Sequence, residues 1–124
     1  MGNIFSEIFT MNGRISRIPY SRDMLILWFF ALIVRCVFDL IMENTGLNLI
    51  LLLIMWGLLL STSVGGFMLS VRRLHDMNKR GWFMFIMIIP YALEIPYAYI
   101  FFQLYLCLAP GTVGSNRYGE DPLL

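Results

Sequence analysis

The apolar residues of this chain fall into three long runs, and the charges collect between them. Residues 24–42 form an apolar run of 19 interrupted by Arg35 and Asp39. At ~1.5 Å per residue this makes about 28 Å of helix, close to the thickness of a bilayer's hydrocarbon core. Glu43-Asn44-Thr45-Gly46 reads as a tight turn. Residues 47–71 then run for 25 positions without a charge, enough to cross with some tilt. Residues 82–108 carry one charge, Glu94, together with Pro90 and Pro96. Prolines inside a helix free carbonyls and bend the axis. The third run is therefore predicted as one kinked, tilted span. The alternative is a re-entrant hairpin of two half-helices, each of about 12 residues or ~18 Å, too short to cross alone.

The polar stretches complete the plan of a single membrane domain over residues 1–124. In residues 3–11, Ile4, Phe5, Ile8 and Phe9 recur at helical spacing between polar residues, which predicts a short amphipathic helix in the membrane interface or docked on the bundle. Asn12-Gly13 ends it, and residues 1–23 as a whole form an amphipathic and basic lead-in. Residues 72–81 are a basic loop or helix extension, and residues 109–124 a turn-rich polar tail. The fold class expected is all-α: a membrane bundle of three spans, the third kinked or broken at Pro90/Pro96, with an N-terminal interfacial helix.

Composition agrees with this picture. Apolar residues make up 59% of the chain and charged residues 14%, against roughly 45–50% and 25% in an ordinary soluble domain. A soluble domain of 124 residues would need far more polar surface. The net charge of +1 excludes bulk attraction to nucleic acid, but the charges are segregated. Arg14, Arg17 and Arg22 precede the first run, and Arg72, Arg73, Lys79 and Arg80 follow the second. Two crossings put both clusters on one side, and the connection between the first two runs has no Lys or Arg. The positive-inside rule assigns that side, and the N-terminus, to the cytoplasm. The tail lies outside if the third run crosses once, and inside if it is a hairpin. No cleaved signal is read, because the first long apolar run starts only at Met24 and no small-residue cleavage site follows. Met1 to Ser6 fits a myristoylation pattern that matters only where the transferase exists.

Three separated patches carry a resemblance. They are Gly13-Arg14-Ile15-Ser16-Arg17; Arg72-Arg73-Leu74-His75-Asp76 followed by Gly81-Trp82; and Pro110-Gly111-Thr112 with Gly114 and Asn116-Arg117-Tyr118-Gly119-Glu120-Asp121-Pro122. In order and spacing the chain resembles, over nearly its whole length, the bacterial inner-membrane family catalogued as domain of unknown function 805. The resemblance implies a small multi-pass protein of the bacterial plasma membrane and supplies no activity. A bacterial host also removes the case for myristoylation.

Candidate chemistry sits in four places. The cytoplasmic basic and polar face comprises Arg14, Arg17, Arg72, Arg73, His75, Asp76, Lys79 and Arg80. If the second span continues as a helix, Arg72, Asp76 and Arg80 form an i, i+4 ladder. The expected role is an anchor to anionic headgroups, worth about 1 kcal/mol per cation, or a partner contact. A general-base role for His75 would need Asp76 to orient it, yet adjacent helical residues point about 100° apart. Within the membrane, Arg35 and Asp39 share a helix face and are expected to pair, which reduces the ~3 kcal/mol insertion cost of a mid-bilayer charge. Glu94 could complete a polar path only in an oligomer. Gly57, Ser61 and Gly65 form a small-residue stripe for close helix packing. Asn116, Arg117, Tyr118 and Asp121 are too rich in hydrogen-bonding groups for a solvated tail. The tail is expected to be ordered on the bundle, with Arg117 paired to a carboxylate. One histidine and two intramembrane cysteines, Cys36 and Cys107, give no metal spacing, and no catalytic residue or cofactor is expected. The partners expected are the bilayer with its anionic headgroups and another copy or another membrane protein, not nucleic acid. The function expected is non-enzymatic binding of a membrane or envelope partner, in a regulatory, immunity or scaffold role. A small-ion channel subunit is the alternative, and a lipid-headgroup enzyme the least favoured reading.

Overall fold

A computed structural model describes residues 9–46, 48–87, 89, 90, 93, 95 and 97–123. Among these the chain is helical apart from turns and one isolated bridge between Asn116 and Gly119. The first helix, α1, spans Arg17–Thr45 and the second, α2, spans Leu49–Asp76. At 29 and 28 residues they measure about 43 and 42 Å. Both exceed a ~30 Å core, so each continues beyond its apolar run. The extensions are residues 17–23 of α1 and 72–76 of α2, and they carry the basic patches.

The ends of these helices follow from local chemistry. Pro19 sits in the first turn of α1, where no intrahelical acceptor is owed a proton. Gly46 ends α1 with φ 73°, and its N–H donates to the Met42 carbonyl at 3.0 Å. The expected turn at 43–46 is thus mostly the last turn of the helix. Asn48 caps α2, its Oδ1 accepting from the N–H groups of Ile50 and Leu51 at 3.0 and 3.2 Å. α2 stops where Asn78 turns left-handed at φ 57°, with the Lys79 N–H donating to the Leu74 carbonyl at 2.8 Å. The helix therefore ends before Arg80, which removes Arg80 from the expected ladder.

α1 and α2 form an antiparallel hairpin. Met24 of α1 lies over Gly66 of α2, and the Tyr20 hydroxyl lies 3.1 Å from Ser70 Oγ. Buried apolar residues gather at one end: Ile15, Tyr20, Met24, Leu69, Leu74, Met77 and Leu106. Towards the other end the apolar surface is bare. Only 6% and 11% of the most apolar windows of α1 and α2 are buried. Soluble core helices are covered; these two leave much of their Leu, Ile, Phe and Trp surface exposed, as membrane-spanning helices do.

The third apolar run is broken, as expected. It begins with a 3-10 helix, Gly81–Met87, and ends in α3, Ala98–Leu108. Tyr97 precedes α3 in the left-handed region at φ 67°. The 3-10 stretch of 7 residues and the α-helix of 11 reach about 14 and 16 Å, each about half a bilayer core. Both ends of the run lie at the end of the bundle where α2 finishes, because the carbonyls of Leu106 and Ala109 accept from Arg73. The described ends of the run thus lie together, as in the re-entrant alternative. Pro90 stands within the break, whereas Glu94 and Pro96 lie outside the described residues. Residues 3–8 of the expected interfacial helix also lie outside them, and Phe9 to Met11 are not helical.

Candidate functional site: an arginine–aspartate knot and its outer layer

Asp76 is the last residue of α2 and only 3% exposed. Its Oδ1 accepts from Arg14 Nε at 3.1 Å, and its Oδ2 accepts from Arg73 Nη1. The side chains of both arginines are almost wholly covered, at 1% and 0% exposure. Two cations at one carboxylate leave an excess positive charge, and backbone carbonyls absorb it. Arg14 donates through Nη1 to Gly114 O at 2.6 Å and through Nη2 to Thr112 O at 2.6 Å. Arg73 donates through Nε to Leu106 O at 2.9 Å, through Nη1 to Ile15 O at 3.4 Å, and through Nη2 to Ala109 O. Burial lowers the Arg73 guanidinium from its ordinary value, and the adjacent Asp76 opposes that shift.

The backbone of Asp76 is tied down as well. Its carbonyl accepts from the Thr112 N–H at 2.9 Å and from Thr112 Oγ1 at 2.7 Å. Gly111 lies so close that a β-carbon there would overlap the Asp76 carboxylate, with Cγ at 2.8 Å. Only glycine permits this approach. Residues 14, 73 and 112, remote from one another in sequence, thus meet at one residue, the arginines on the Asp76 carboxylate and Thr112 on its backbone carbonyl.

An outer layer covers the knot. The His75 and Tyr118 rings stack with centroids 3.8 Å apart and planes 8° off parallel. His75 Nδ1 lies 3.3 Å from Gly13 O. Burial lowers the His75 pKa, and Arg117 adds to the shift. Asn116 Nδ2 donates to His75 O at 2.9 Å and to Thr112 Oγ1 at 2.8 Å. Asp121 accepts from the N–H groups of Gly114 and Leu123 at 2.8 and 2.9 Å, which lowers its carboxyl. These bonds tie the tail to the end of α2. Arg117, however, does not find a carboxylate: it donates to Asn78 O at 2.8 Å and lies 4.8 Å over the Tyr118 ring. A carbonyl left free past the end of α2 takes the place of the expected anion. Lys79 donates to the Tyr105 hydroxyl at 2.6 Å.

The structure divides the expected basic face in two. Arg14, Arg73 and Asp76 are buried, because their bonds hold the chain together; they are not a surface anchor. Arg17 and Arg80 are exposed, and Arg72, His75 and Lys79 are half-buried. Asp76 pairs with Arg73, three residues back, and with Arg14. Arg35 and Asp39 pair at 2.9 Å as expected, at 62% and 48% side-chain exposure on the outside of α1. Of the small-residue stripe, Gly65 is buried, while Gly57 and Ser61 are exposed, with open space beside Gly57. The stripe thus serves packing only at the covered end.

Sequence reasoning missed a second polar group. The Tyr20 hydroxyl donates to Gln103 Oε1 at 2.5 Å and lies beside Ser70 Oγ. Gln103 is a lone amide in an apolar run, a signal that counting charges passes over.

Bare apolar helices joined to a covered polar end define a helical membrane protein. The family model described as "Protein of unknown function (DUF805)" matches residues 8–120, and the chain belongs to that family. It is 33% identical over 98 residues to "Inner membrane protein YhaI" of Escherichia coli strain K12, covering 77% of this chain and 76% of that protein. The O157:H7 counterpart shows the same identity and coverage. No solved structure matches the chain. The chain is accordingly a bacterial inner-membrane protein of a family without a known activity.

Proposed function

We propose that this protein is a non-enzymatic, multi-pass component of the inner membrane that binds a membrane or envelope partner through its basic end. In this reading the N-terminus, residues 72–81 and the tail are cytoplasmic, and residues 82–108 form a re-entrant hairpin. Cation placement supports the orientation, and the return of α3 to Arg73 supports the side of the tail. Several cations on one rim also favour anionic headgroups at about 1 kcal/mol each.

The observation that carries the binding role is the knot. Both carboxylate oxygens of Asp76 are occupied by guanidinium groups, and the guanidinium groups by carbonyls. His75 is stacked on Tyr118 and faces the Gly13 carbonyl. A general base needs a substrate proton within reach; this arrangement instead makes a rigid platform. Arg17, Arg80 and Arg117 stand exposed around it. Photo-crosslinking in native membranes from positions 80 and 117, with position 29 as a lipid-facing control, tests the role. A discrete adduct is expected from the rim and not from position 29, and Arg80→Glu with Arg117→Glu should abolish it. Adducts equally frequent at position 29 would contradict it. Neutral replacements of Arg35, Asp39 and Glu94 should leave the adduct intact.

A further inference from the structure

Between α1, α2 and the third run lies an open cleft of about 990 Å³. Its walls are almost wholly apolar, with Trp28 and Ala31 from α1, Trp56 and Phe67 from α2 and Ala98 from α3. Along α2 it runs from Trp56 to Ser70, about 21 Å of helix. One leaflet contributes ~15 Å of hydrocarbon, so the cleft runs the depth of one leaflet and about 6 Å beyond it.

At the covered end the cleft meets Gln103, which is 3% exposed and lines the cavity. Its Oε1 is occupied by the Tyr20 hydroxyl. Among the described residues its amide nitrogen makes no hydrogen bond, which leaves a free donor at the wall of the cleft. The donor stands level with Ser70, one residue before the apolar run of α2 ends at Val71. That is the depth at which hydrocarbon gives way to the headgroup region. One turn further out, on the face of Tyr20, stands the exposed Arg17.

We infer that this cleft holds one acyl chain of a glycerophospholipid from the same leaflet, whose ester carbonyl accepts a hydrogen bond from the Gln103 amide. The apolar walls take the chain, the amide reads the ester, and Arg17 lies on the phosphate side. A membrane lipid fits because the groove opens to the bilayer, and because its polar donor sits at ester depth and not at mid-membrane. The inference is independent of the partner-binding role.

The test uses the full chain purified in detergent and stripped of lipid. It is offered an equimolar mixture of a diacyl phosphatidylethanolamine and its dialkyl ether analogue, and retained lipid is read by native mass spectrometry. The two lipids share tails and headgroup and differ only in the carbonyls. The ester should be retained about tenfold over the ether, the worth of one hydrogen bond in a poorly solvated site. In Gln103→Leu the ratio should fall to about one, and Ala31→Phe, which fills the cleft, should lower retention of both. Equal retention of ester and ether by the unaltered protein would overturn the inference, whether or not the variants fold.

Discussion

Replacing Asp76 with asparagine tests the knot at its centre. The change preserves shape, but it removes the one carboxylate facing Arg14 and Arg73. The new amide also turns N–H groups towards guanidinium groups that have none to accept them. Breaking a buried ion pair from one side costs about 3–5 kcal/mol, because the remaining charge stays buried. Here two cations remain, though six carbonyl bonds still hold them, so a loss of about 3–5 kcal/mol is expected for Asp76→Asn. Equilibrium unfolding in a fixed detergent measures it. The double-mutant cycle with Arg14→Met should return a coupling of about 1–3 kcal/mol. Hydrogen exchange at the Thr112 amide should rise in step, since its acceptor is the Asp76 carbonyl. A loss below about 1 kcal/mol, or a coupling near zero, would refute the reasoning. Either result would mean that the pairing behaves as a solvated surface contact.

Other consequences are smaller. Gly111→Ala should cost about 1–3 kcal/mol by overpacking against a carboxylate that two arginines hold in place, read in the same unfolding assay. Tyr118→Ala should remove a ring stack worth about 0.5–1.5 kcal/mol and speed exchange of the Asn116 and Gly119 amides, which pair with each other. The folded protein holds the His75 pKa below its ordinary value, so the unfolded chain takes up that proton first. Stability should be fully present above about pH 6.5 and decline as pH falls through the interval down to the lowered value. His75→Gln should flatten this part of the profile, and an unchanged profile would contradict the assignment. Arg117→Ala should loosen residues 115–119, seen as faster exchange, without disturbing α2.

What the residues announced in advance was local. The runs at 24–42 and 47–71 read directly as helices because bilayer thickness sets their length. Arg35 and Asp39 were legible because four residues on a helix bring side chains together without help from the rest of the fold. Asp76 was not legible in the same way. Its i, i+4 neighbour Arg72 was the local expectation, but Arg14, 62 residues away, reaches it only because α1 and α2 lie antiparallel. The third run is a related case. Its apolar length suits a crossing, and the anchoring of Leu106 and Ala109 on Arg73 could not be read from that length. Gln103 is passed over because a neutral amide adds nothing to a count of charges, although burying it demands a partner.

The most direct test of the account asks which side of the membrane the tail occupies. With Cys36 and Cys107 replaced by serine, Ser115→Cys and Asn44→Cys are treated with a membrane-impermeant maleimide in intact spheroplasts. The account expects labelling at position 44 and none at 115 until the membrane is opened. Labelling of position 115 from outside would contradict the return of the third run, and with it the assembly of the knot at a cytoplasmic end.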